Sequence, residues 1–225
     1  MMVASAALIL AGCVSSSPTV ATRRARVPEF AVLSVVVASD AYQAPDAKWS
    51  PNLQSTLPKY TGGGLLPVIV GAAVDKHVTA QQQKKFEESQ AASLPTINER
   101  ASQPPSAVVK GAVLSALRAN GFFAQRMRED SKNTLEIRIL HFGLAEKGKE
   151  EGAEPKLSAQ ILVDLTIRTA GGARIGIGGY SGSSGESLPV GALAKEPGLI
   201  PTLYDEAADS LREFLGASLR RKYEG

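Results

Sequence analysis

Residues 157–169, LSAQILVDLTIRT, constrain the fold more tightly than any other stretch of the chain. Leu157, Ala159, Ile161, Val163, Leu165 and Ile167 alternate with Ser158, Gln160, Leu162, Asp164, Thr166 and Arg168. Successive side chains of a strand point to opposite faces, so the alternation predicts a long strand with one face in a core and the other mostly wet. One-sided burial is the behaviour of antiparallel sheets, whereas strands covered on both faces read as continuous apolar runs.

Neighbouring segments extend the sheet. In TLEIRILHF (134–142), Leu135, Ile137 and Ile139 share a face that ends at His141, with Glu136 and Arg138 opposite. The charged stretch 143–156 reads as a hairpin loop between these two strands. After Ala170-Gly171-Gly172, the stretch ARIGIGGYSGSS (173–184) predicts a strand that is bulged, at an edge, or closely approached by another backbone, because glycine offers no side chain to pack. Residues 31–38, AVLSVVVA, form a β-branched run expected to be central in the sheet or covered on both faces.

Two segments carry helical periodicity. Over 199–223, Leu203, Ala207, Leu211, Phe214, Leu215 and Leu219 make an apolar stripe. Thr202 and Asp205 have capping-box spacing, and Arg220, Arg221 and Lys222 complement the dipole at the C-terminal end. A helix over 107–119, capped by Ser106, presents Val109, Val113, Ala116 and Leu117, with Asn120-Gly121 as a left-handed stop. The proline-containing stretches 40–64 and 93–105 read as loops, and 65–92 as an inserted helical segment that is apolar from Leu65 to Val74 and polar afterwards. The economical arrangement is α+β: an antiparallel or mixed sheet of about four strands, two main helices on one face, and an additional helix from the insertion.

The N-terminus speaks to location. Val3 to Ala11 is apolar or small except at Ser5, too short for a membrane span of roughly 18–20 residues but the length of a signal-peptide core. Leu10-Ala11-Gly12-Cys13 resembles the lipobox of bacterial envelope lipoproteins. That resemblance implies a signal peptide over 1–12, a lipidated flexible tether over 13–28, and a single periplasmic α+β domain over 29–225. It also implies a diacylglyceryl thioether on Cys13, and Val14 rather than Asp after the cysteine implies the outer membrane over the inner. Cys13 is the only cysteine, so an exported chain can form no intramolecular disulfide, and lipidation gives the thiol a use. The architecture is similar to small auxiliary lipoproteins of transporters and of lipopolysaccharide assembly.

Composition excludes little but directs attention. The net charge of +3 is not concentrated in one segment, which gives no basis for nucleic-acid binding. Arg23, Arg24 and Arg26 either meet anionic headgroups or belong to a solvated linker. The two histidines, His77 and His141, fall in separate segments without a second ligand at metal spacing, so His141 reads as a packing residue and His77 as a surface one. The glycine-rich stretch fails the dinucleotide and nucleophile-elbow patterns, and no phosphate loop is present. No catalytic, cofactor-binding or metal-ligating set follows, which favours a non-enzyme. The expected function is a membrane-anchored, periplasm-facing lipoprotein that binds or scaffolds an envelope component; the alternative is an accessory lipoprotein of a lipid or solute transport system. Its expected partners are the membrane, through Cys13, and an envelope protein, through Gly176 to Gly185 or Leu65 to Val74.

Overall fold

The alternating run at 157–169 is realised as strand β4 (Lys156–Arg168), whose Leu157, Ala159, Ile161, Val163, Leu165 and Ile167 are all buried. A computed structural model describes residues 18–45, 84, 88, 92–147 and 154–225. Before β4 come helix α1 (Val20–Arg26), strands β1 (Ala31–Val37) and β2 (Tyr42–Gln43), and helices α2 (92–101), α3 (Ser106–Ala119) and α4 (Gly121–Ala124). Strand β3 (Thr134–Glu146) precedes β4; after it come β5 (Arg174–Ser183), β6 (Leu188–Pro189), α5 (Val190–Lys195) and α6 (Leu199–Tyr223).

The class is α+β, built on a mixed six-stranded sheet with main path β1-β3-β4-β5. β3, β4 and β5 are antiparallel neighbours, while β1 and the two-residue β2 run parallel to β3, and β6 pairs with the start of β4. A parallel pair needs a crossover connection, and the chain between β2 and β3 carries α2, α3 and α4. α3 and α6 pack on each other; α6 lies over β4 and β5, and α3 meets β1. Their buried residues join those of β3 and β4 in one core, where each fully buried Leu, Ile or Val contributes about 1.5–3 kcal/mol.

Several local expectations are corrected. β1 is not central: β3 is its strand neighbour, and Val36 is 40% exposed. Its run lacks alternation because the register shifts between Val32 and Ser34, which changes the face that alternate residues occupy. In β3 an extra residue between Ile139 and His141 reverses the alternation, so Phe142 and Leu144 are buried and His141 is exposed rather than packed. β3 also runs on to Glu146, pairing Gly143 to Glu146 with Gln160 to Leu157, so these residues belong to the sheet and not to a loop.

The helix ends differ too. Residues 92–101, expected as a loop, are helical: Ile97 and Ala101 lie one turn apart and are both fully buried, and Tyr204 Oη donates to the Ala101 carbonyl at 2.7 Å. Tyr42 Oη donates to Asn98 Oδ1 at 2.6 Å on the same helix. Tertiary packing here outweighs the local signal of Pro95. Asn120 is extended (φ −96°, ψ 115°) and makes no left-handed stop; its Oδ1 accepts from Phe123 N at 3.1 Å and caps α4, which buries Phe122 and Phe123. α3 begins at Ser106 itself, with no side-chain cap. α6 starts at Leu199, so Thr202 and Asp205 lie inside it and form no capping box; the burial of Ile200 draws the first turn into the core. Phe214 stands on the flank of that helix, 52% exposed.

Part of the stretch read as a flexible spacer is ordered. Val20–Arg26 form α1, where Thr19 Oγ1 accepts from Thr22 N at 3.3 Å, and α1 rests against α6. Cys13 and the apolar segment Leu65 to Val74 lie outside the described residues. So does most of the polar half of the insertion, although Lys84 and Glu88 are helical and pair at 3.9 Å. Among the described residues no helix is long and apolar enough to cross a membrane.

Candidate functional site

Four cationic side chains from three elements converge at one end of β5. Arg23 and Arg26 come from α1, Arg174 from the start of β5, and Lys222 from the last turn of α6; together they rim a cleft of about 640 Å³. Its floor is apolar, with Val27, Ile177 and Tyr223 each at most 5% exposed. The volume falls within the range of small-ligand sites, which combine apolar walls with a few placed charges.

The sequence builds this end in identifiable steps. Phe122 stacks on Tyr223 at 5.4 Å with an interplanar angle of 9°, and Phe123 meets Tyr223 edge-on at 4.9 Å, which fixes the C-terminal turn of α6. The Arg126 guanidinium lies 3.9 Å from the Phe122 ring centre and donates through Nε to the Val27 carbonyl at 2.9 Å, tying the exit of α1 to the same cluster. Arg24 adds a second cation over Phe122, at 4.9 Å. The three arginines of α1 are thereby divided: Arg24 covers an aromatic ring, Arg23 reaches the Lys222 carbonyl at 3.5 Å, and Arg26 stays exposed at the rim.

β5 bulges beside the cleft. Leu165 and Thr166 of β4 face Gly178 and Gly176, so Ile177 is the extra residue and turns into the core. Gly178 has φ +138°, and a Cβ there would lie 3.2 Å from Lys222 Nζ and 3.3 Å from Tyr180 Oη. Glycine therefore satisfies the backbone and leaves room for the Lys222–Tyr180 contact. Lys222 Nζ donates to Tyr180 Oη at 3.5 Å and lies 5.1 Å from the ring centre. Burial, reinforced by Tyr223 and Asp164, pushes the Tyr180 phenol up to about 12, against the Ser218 hydrogen bond that lowers it, so it stays neutral near pH 7. Burial, with the charges of Arg221 and Arg23, holds the Lys222 ammonium below its ordinary range.

Carboxylates on neighbouring elements are committed elsewhere. Glu136 pairs with Arg168 at 2.5 Å and reaches Arg174 at 3.7 Å. Asp164 Oδ2 accepts from the Thr166 hydroxyl at 3.0 Å, and Glu224 Oε1 accepts from Phe122 N at 3.4 Å. Among the described residues, no carboxylate forms an ion pair with Arg23, Arg26 or Lys222. Three of the four rim cations, Arg23, Arg26 and Lys222, thus stand over an apolar floor without a carboxylate partner among the described residues, an arrangement suited to an anion that carries hydrophobic substance.

At the other end of β5, glycine serves packing. A Cβ on Gly182 would overlap the Ala207 carbonyl oxygen and lie 2.6 Å from Leu211 N, so α6 crosses the strand backbone to backbone. The predicted edge position, bulge and close approach of this strand are all present, at different residues. On the sheet face away from the helices, His141, Leu162 and Ser181 lie in one row, and Gly143, Gln160 and Ser183 in another; a recess of about 560 Å³ reaches from these rows to Ser210 and Phe214 of α6. Its lining residues bring no second imidazole, thiol or carboxylate to His141.

Cys13 and His77 lie outside the described residues. Gly176 lies at the cleft and Gly185 just beyond the end of β5, so the proposed partner stretch spans both ends of the strand. Arg174 and Lys222 carry no sequence signal of convergence, because the residues they meet are far away in the chain. Among the described residues no group of three or more His, Cys, Asp or Glu side chains is placed to hold a metal ion. No protein-family model matches the sequence, and no curated protein compared with it gives a significant match.

Proposed function

We propose that this chain is a lipid-anchored lipoprotein of the bacterial envelope that faces the periplasm and binds or scaffolds an envelope component without catalysing a reaction. The observation that carries this reading is Leu10-Ala11-Gly12-Cys13 directly behind a short apolar run. On it, residues 1–12 are removed, Cys13 takes the acyl chains, and the outer membrane is the anchoring surface. Several buried acyl chains, each methylene worth about 0.8 kcal/mol, hold such a protein stably where a single chain does not.

The fold supports a binding role in two ways. The first described residue, Pro18, lines the cleft, five residues after Cys13 in the sequence. On its outer side β5 has no strand partner among the described residues, and an open strand edge offers backbone groups to an added strand. Metabolic labelling with a clickable fatty acid tests the reading: the native chain takes label and fractionates with membranes, and Cys13→Ala abolishes both. Label that survives Cys13→Ala, or a native chain recovered unlabelled with its first twelve residues intact, overturns it.

A further inference from the structure

We propose that the cleft between α1, β5 and the last turn of α6 seats the phosphate of an anionic phospholipid headgroup, so that the domain docks on the bilayer surface as well as hanging from its anchor. The inference rests on the lipoprotein reading for the source of the phosphate, but its geometry is independent of that reading.

Three observations converge on it. Arg23, Arg26, Arg174 and Lys222 rim the cleft, and of these only Arg174 has a carboxylate partner among the described residues. Of the three rim groups without a carboxylate partner, Arg23 and Arg26 are guanidinium forks, which suit phosphate oxygens in pairs, and the Lys222 ammonium adds a point charge. Beneath them Val27, Ile177 and Tyr223 form an apolar floor, fitting a ligand whose charged group continues into glycerol and acyl carbon. Finally, Pro18 lines the cleft, and Cys13 lies five residues before it; five residues reach at most about 18 Å when fully extended. An acylated Cys13 therefore holds the cleft within that distance of the headgroups, which makes membrane phosphate the anion at hand.

The Lys222 ammonium is disfavoured by burial and by the positive charges of Arg221 and Arg23. A phosphate in the cleft relieves that crowding, whereas a neutral headgroup does not. Cations near an anionic surface act roughly additively, each strengthening attachment about fivefold.

The test uses the full chain with Cys13→Ala, so that no anchor contributes, sedimented with phosphatidylcholine vesicles with or without phosphatidylglycerol. Binding is expected to the phosphatidylglycerol vesicles only. The combined Arg23→Gln, Arg26→Gln and Lys222→Gln chain is expected to bind about a hundredfold more weakly. Lys110→Gln, Arg118→Gln and Arg128→Gln, which remove equal charge around a separate groove beside β1, are expected to leave binding within a few-fold. Exposed Arg26→Glu alone, which removes no packing, is expected to weaken binding at least tenfold and guards against a misfolded triple variant. Equal loss in the two triple variants shows general attraction of a cationic surface and overturns the proposal. Binding to neither vesicle overturns it, as does full competition by inorganic phosphate at millimolar level, which makes free phosphate the ligand. Fatty-acid labelling of the native chain reads the anchor separately: an unlabelled native chain whose Cys13→Ala form still binds anionic vesicles through the cleft removes the lipoprotein reading and leaves the site.

Discussion

The two ends of β5 use the same residue type for opposite purposes. At Gly182 the missing side chain lets α6 approach until backbone meets backbone, so glycine there is spent on the core. At Gly178 it lets the strand bulge through a positive φ and leaves space for Lys222 beside Tyr180, so glycine there opens a charged cleft. A glycine-rich strand is thus neither uniformly flexible nor uniformly functional. Neighbouring backbone decides one end, and neighbouring charge the other.

Substitutions separate the two roles. The largest effect is expected from Gly182→Ala: backbone atoms of Ala207 and Leu211 stand where the methyl must go, and relief requires the helix to lift, at a cost of about 3 kcal/mol or more. Urea unfolding measures this, and a loss below about 1 kcal/mol means that α6 is not seated on this strand as described. Gly178→Ala comes next, at about 2 kcal/mol, because an L residue is strained at φ +138°. It should also weaken attachment to anionic vesicles by moving Lys222, an effect that Gly182→Ala should not produce in the fraction that remains folded.

Glu136→Gln is the smallest of the three. The Arg168 hydrogen bond, more than the charges of Arg168, Arg174 and Arg138, holds the Glu136 carboxyl below the usual carboxylate range against the opposing effect of burial. A carboxylate lowered by folding stabilises above its unfolded value of about 4.3 and loses that contribution as pH falls through the folded value. The native chain should exceed Glu136→Gln by at most about 1 kcal/mol at neutral pH, and the gap should close as the solution is acidified below about pH 4. A gap that widens in acid contradicts the assignment. At neutral pH the substitution also releases Arg174 from its carboxylate, and vesicle binding should rise slightly.

How much of this was legible in the sequence depends on whether a signal is local. β4 was readable residue by residue because its six core-facing apolar residues recur at every second position without interruption, although Ser158 and Thr166 on the other face are buried as well. β3 was readable only as far as Ile139, since the extra residue beyond it changes the face of everything after, and nothing in the local pattern marks a bulge. α2 was hidden because the signal of Pro95 points to a loop, while the helix is held by the burial of its own Ile97 and Ala101 and by the hydrogen bond from Tyr204 of α6. The cleft was the least legible. Arg23 and Arg26 belonged to a segment that looked like a linker, Lys222 to a helix end already explained by its dipole, and only the pairing of chain termini across α1 and α6 brings them together.

The central claim, that the cleft end of β5 faces the bilayer while the opposite end points away, has a direct measurement. β5 covers ten residues, roughly 30 Å at strand rise. On the lipoprotein reading Cys13 carries acyl chains, so that a thiol introduced by Ala173→Cys at the cleft end or by Ser183→Cys at the far end is the one group open to a fluorophore. In vesicles carrying spin-labelled lipid headgroups, strong quenching at position 173 and weak quenching at 183 is the expected result. Equal quenching at both positions, or stronger quenching at 183, contradicts it.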